Sequence, residues 1–119
     1  MRAGNSKSPY FDTPFSVVVL MNRLLWWLIA GSKGGASRAI MLRHLHHRPS
    51  NANQLATALS LDYKTVRHHL RVLEENGLVT TVNREGYGAM YFLSSVMESS
   101  YQEFEEICSK IGLGGREDV

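Results

Sequence analysis

Four side chains with one electrostatic character, Lys64, Arg67, His68 and Arg71, recur every three or four residues within DYKTVRHHLRVLEENG, residues 62–77. At about 100° per residue, that spacing puts them on one side of a helix. No carboxylate follows Asp62 on that side before Glu74. Arg and Lys bond to phosphate oxygens, and Arg or His also reaches donors and acceptors on base edges. The face therefore suits recognition of a polyanion. Arg67 and His68 are the candidates for base edges, Lys64 and Arg71 for phosphates, with Thr65 beside them. A helix exposed only to water usually mixes its charges, so a merely solvated basic face is the plainer alternative.

The helix that must position these groups has its own signals. Asp62 suits the N-cap, where its carboxylate accepts from a free amide of the first turn. Gly77 suits the residue just past the end, where a left-handed backbone costs little. Tyr63, Val66, Leu70 and Leu73 form an apolar stripe at helical spacing, about 180° from the basic face.

The charge distribution points the same way. The 119 residues amount to one small domain with flanking helices, and 44% apolar content suffices for a core. Net charge is only +2. Yet residues 33–72 hold seven Lys or Arg against one acid, while residues 98–119 hold six acids and two bases. A positive field in the middle of the chain attracts a polyanion, and the acidic end is expected to face away from it. The single cysteine, Cys108, excludes an intrachain disulfide and a thiolate metal cluster within one chain, and it suits a reducing cytoplasm. No secretory signal is read at the start.

In chain order, residues 1–14 read as a flexible arm broken by Pro9 and Pro14. Residues 15–31 read as an apolar helix; 13 of the 16 residues from Phe15 to Ala30 are apolar. Such a helix spans only about 24 Å, short of the roughly 30 Å of a bilayer core, and Asn22–Arg23 sits near its middle. Packing on the domain and on a second subunit is expected instead of a membrane span. Ser37 is the expected cap of the next helix, with Ile40, Met41 and Leu45 inward. Asn51 and Gln54 have capping-box spacing for a short helix to Leu59. Ser60–Leu61 then turns into the basic helix, which makes a helix-turn-helix pattern. Residues 78–84 and 89–93 read as two strands of a wing around the turn Glu85-Gly86-Tyr87-Gly88. Arg84 and Tyr87 lie near its tip. Residues 95–111 read as one helix. Met97, Tyr101, Phe104, Cys108 and Ile111 step along it as a heptad seam. Together with Leu20, Leu24 and Trp27 they are candidates for a homodimer interface, because a core of residues 36–94 is small to stand alone. Residues 112–119 read as a frayed tail. The fold class expected is mainly α with a small β-hairpin (α+β), a winged helix-turn-helix between added terminal helices.

The stretch NANQLATALSLDYKTVRHHLRVLEENGLV, residues 51–79, resembles the winged helix-turn-helix of ArsR-like transcription regulators. The residues that carry the resemblance are Leu55-Ala56, Leu59, Val66, His69-Leu70, Leu73 and Gly77-Leu78-Val79. The lead-in LLWWLIAGSKGG together with LDYKTVRHHL looks like archaeal members of the class. The resemblance implies a cytoplasmic, dimeric regulator that binds double-stranded DNA, with His69 a packing residue and His68 outward. Many members sense metals through thiolates, and this chain lacks that motif. His44, His46, His47, His68 and His69 would be the remaining ligands. No cofactor and no metal site is expected, and no effector is indicated. The competing functions are a winged-helix protein-interaction module and a metal- or small-molecule-responsive repressor. An enzyme is not expected: there is no Gly-rich phosphate loop, no nucleophile spaced from a base and no paired carboxylates in the apolar part.

Overall fold

The apolar first helix buries only one of its sides in the chain's own core. The computed structural model describes residues 15–83 and 88–113; the expected arm, residues 1–14, lies outside them. Helix α1 (Phe15–Leu25) runs on into a π-helical turn, Trp26–Ala30. Met21, Leu25, Leu28 and Ile29 are buried, whereas Leu20 is 64% exposed, Trp27 60% and Trp26 41%. No helix among the described residues is long and apolar enough to cross a membrane.

Helix α2 (Gly35–His47) starts three residues earlier than expected. Its N-cap is Gly34 at φ +85°, and Ser37 does not cap it. The tight approach of two backbones sets this start. A Cβ on Gly35 would lie 1.9 Å from the carbonyl oxygen of Ile29. Arg38, Ala39, Met41, Leu42 and Leu45 face inward. Ile40, expected inside, is exposed, because it lies about 200° round the helix from Leu42.

The expected capping box opens α3 (Ala52–Leu59). The Gln54 amide donates to Asn51 Oδ1 and the Asn51 amide to Gln54 Oε1, both at 2.8 Å. Ser60, at φ +55°, turns the chain towards α4 (Tyr63–Glu75). Strands β2 (Val79–Val82) and β3 (Met90–Leu93) pair antiparallel, Val79 opposite Leu93. A third strand, β1 (Ser50–Asn51), adds to β3, so the expected hairpin is a three-stranded sheet of order β1-β3-β2. Two residues are too few to show a strand period, which is why β1 was not legible.

The single helix expected over residues 95–111 is divided at Ser100 into α5 (Ser95–Ser99) and α6 (Tyr101–Lys110). The supposed dimer seam is largely the chain's own core. Met97, Phe104 and Cys108 are fully buried, and Tyr101 is committed to neighbours in its own chain. Its ring stacks on His46 at 3.7 Å, and its hydroxyl donates to Glu105 at 2.9 Å. Helix α6 packs on α1 and the π turn, which covers the greasy face attributed to a partner. Only Ile111 of that set stays exposed. Gly112, at φ +84°, and Leu113 close α6 rather than fray: Leu113 donates to Cys108 O at 2.7 Å. Residues 114–119 lie outside the described part.

The Gly35 approach leads to a stability prediction. Gly35→Ala forces a methyl against the Ile29 carbonyl and should cost more than about 2 kcal/mol in denaturant unfolding. Gly31→Ala, whose Cβ would meet only ordinary contacts at 3.4 Å or more, should change stability by less than about 1 kcal/mol.

Candidate nucleic-acid interface

Helix α4 begins and ends as its sequence demands. The Thr65 amide donates to Asp62 Oδ2 at 3.1 Å, and the Thr65 hydroxyl lies 3.4 Å from the same oxygen. At the other end Gly77 adopts φ +77°. Gly77 N–H donates to Glu74 O at 3.0 Å and Leu78 N–H to Leu73 O at 2.9 Å, the paired bonds that close a helix through a left-handed glycine. Val66, Leu70 and Leu73 are at most 1% exposed and fix the helix to the body.

Lys64, Thr65, Arg67, His68 and Arg71 are all exposed on the opposite side. Tyr63 departs from the expected stripe. It is 43% exposed. Its hydroxyl accepts a hydrogen bond from Arg67 Nη1 at 3.1 Å, and the guanidinium carbon lies 5.9 Å from the ring centroid. That bond favours the charged form of Arg67. The wing candidates Arg84 and Tyr87 lie outside the described residues.

The positive field is narrower than the residue count implied. Arg38 is 4% exposed. Arg43 is spent on Glu105, with Nη2 to Oε1 at 3.0 Å and Nε to Oε2 at 3.1 Å. Lys33, Arg48, Lys64, Arg67 and Arg71 remain exposed within residues 33–72. On the acidic side, Glu105 answers Arg43, and Glu98 answers His46 at 2.9 Å.

Arg38 was missed by sequence reasoning, which counted it as surface charge. Its Nε and Nη2 donate to Leu28 O at 3.0 and 2.8 Å, and Nη2 also reaches Lys33 O at 2.9 Å and the Ser32 hydroxyl. Its Nη1 donates to His69 Nδ1 at 3.3 Å. One guanidinium thus joins the end of the first helix to the inner side of α4. Since Arg only donates, His69 presents a lone pair at Nδ1. Burial, then Arg38 and His68, hold His69 below the usual histidine range. His69 is a packing residue and His68 points outward, as the resemblance implied. The close fit explains Gly34: a Cβ there would lie 2.7 Å from His69 Cε1. No group of three or more His, Cys, Asp or Glu among the described residues is arranged to hold a metal ion.

Residues 36–81, which span α2 to the third residue of β2, match the family model described as bacterial regulatory protein, arsR family. Over that stretch the chain is similar to the helix-turn-helix domain of arsR-family regulators. The match supports a DNA-binding transcription regulator. No curated protein matches the chain in sequence. Among solved structures, reduced HlyU from Vibrio cholerae is 22% identical with a TM-score of 0.54, over 77% of this chain and 90% of that one. MarR is 18% identical at a TM-score of 0.57, over 91% and 78%. The transcriptional regulator SlyA is 12% identical at 0.55, over 87% and 77%. These likenesses establish the winged-helix fold of the regulator.

The buried histidine makes the regulator's stability fall on acidification. His69 titrates below its unfolded value near 6.5. His44, desolvated and facing Arg48 and His47, does the same. Well above pH 6.5 both states are neutral and stability is level. Below it the unfolded chain takes up protons first, so stability drops as pH falls towards the folded-state values. His69→Gln, which keeps an acceptor for Arg38, should show a smaller loss than the wild type between pH 7.5 and 5.5 in denaturant unfolding. An equal loss would remove His69 from this account.

Proposed function

We propose that the regulator acts as a homodimer that lays one α4 helix in the major groove of each of two half-sites. The reading rests on one observation: the exposed face of α4 carries Lys64, Arg67, His68 and Arg71, while its opposite face is sealed in the core. In this reading Arg67 and His68 reach base edges, Lys64 and Arg71 bind phosphates, and Thr65 lies between them. Arg84 and Tyr87 of the wing take the backbone or the minor groove. The dimer surface takes in the outer side of α1 and the π turn, where Leu20, Trp26 and Trp27 leave apolar area to water, together with the half-buried Leu24. A dimer reads half-sites about 34 Å apart. Its place of action would be the cytoplasm. No effector follows from the residues.

Selection of bound duplexes from a random pool tests this reading, followed by titration of selected and random DNA between 50 and 200 mM salt. Arg67→Ala should lower the preference for the selected site by roughly tenfold, within the range for losing one bidentate base contact. Lys64→Ala should weaken both duplexes alike and reduce the salt slope by about one. Equal losses for Arg67→Ala on both duplexes would refute its base contact. Leu20→Glu with Trp27→Glu should yield monomers in sedimentation and weaken binding to a two-half-site duplex. Persistence of the dimer would refute the α1 surface.

A further inference from the structure

Tyr63 is the residue of α4 that its spacing places in the core and the structure places outside. Four residues separate it from Arg67, one helical turn, so the two side chains are neighbours on the surface. The phenol hydroxyl accepts from Arg67 Nη1 at 3.1 Å, and the guanidinium stands 5.9 Å from the ring centroid. An unrestrained arginine samples many rotamers, and part of that freedom is lost when it forms a fixed contact. The Tyr63 contact restricts that freedom before any ligand arrives. It engages one of five N–H donors, so enough remain for a two-bond approach to guanine O6 and N7. Tyr63 is also the first residue of α4, and the first turns of a recognition helix stand closest to base edges.

We propose that Tyr63 is a positioning residue for sequence discrimination: its hydroxyl holds the Arg67 guanidinium in the conformation that meets a guanine. This rests on the reading of Arg67 as a base contact. The prediction separates discrimination from affinity. Losing the hydroxyl frees Arg67 without removing any charge, so binding to random DNA and its salt slope stay unchanged while preference for the selected site drops.

The experiment is a double-mutant cycle of Tyr63→Phe and Arg67→Ala on the full chain. Each protein is titrated with the duplex selected by the wild type and with a random duplex of equal length. Tyr63→Phe should lower the ratio of the two affinities by roughly three- to tenfold, the ordinary worth of one hydrogen bond. The double variant should match Arg67→Ala within about twofold, because the hydroxyl acts only through the guanidinium. An unchanged ratio in Tyr63→Phe, or a loss that persists in full on the Arg67→Ala background, overturns the positioning role while the Arg67 reading survives. If Arg67→Ala itself loses equally on both duplexes, the base contact falls and the positioning role falls with it. The phenylalanine keeps the ring at a half-exposed site, and an unchanged unfolding midpoint would show that any loss belongs to recognition.

Discussion

A guanidinium buried without a carboxylate partner among the described residues joins the two ends of this molecule's logic. Removing a cation from water is costly unless its donors are satisfied. Arg38 meets that demand with the carbonyls of Leu28 and Lys33, the Ser32 hydroxyl and His69 Nδ1. Leu28 lies near the C-terminal end of the first helix, where the helix dipole favours positive charge. The site therefore needs no acid. It needs a neutral histidine, and burial with a cation beside it supplies one. It also needs the chain to pass close by, which is why Gly34 and Gly35 stand where any side chain would strike His69 or the Ile29 carbonyl. The end of the first helix and the inner side of α4 are thus tied together by one side chain.

Helix α4 divides its labour by face. Val66, Leu70 and Leu73 hold it, and Leu73 with Leu78 packs the turn that ends it. The rigid seat matters because a base contact requires a side chain presented from a fixed backbone. Most of the outward groups are long and exposed, but Arg67 is tied to Tyr63. The paired charges elsewhere sharpen the picture. Arg43 with Glu105 and His46 with Glu98 knit α2 to α5 and α6. The cations left exposed are correspondingly fewer, and three of them are on α4.

The terminal helices close on each other rather than awaiting a partner along the whole of their length. Phe104, Ile107 and Cys108 of α6 complete the core begun by Leu25, Leu28 and Ile29. The break at Ser100 separates Met97 from that row. Among the described residues, the most exposed large apolar side chains are then Leu20 of α1 and Trp27 of the π turn.

The residues alone determined the order of helices, the caps at Asn51 and Asp62, the glycine that ends α4 and the side of α4 that faces water. Each follows from short-range rules of period, capping or backbone freedom, whose partners lie within a few positions of one another. Only the tertiary structure decided the rest. The strand β1 exists because β3 is beside it. Arg38 is core because a carbonyl ten residues earlier and a histidine 31 residues later converge on it. Phe104 and Cys108 are enclosed because α6 packs on α1 and the π turn. Tyr63 is exposed although its spacing matches the buried stripe. A periodic stripe shows that a face is apolar, but what covers that face depends on groups distant in the chain, and periodicity contains no information about them.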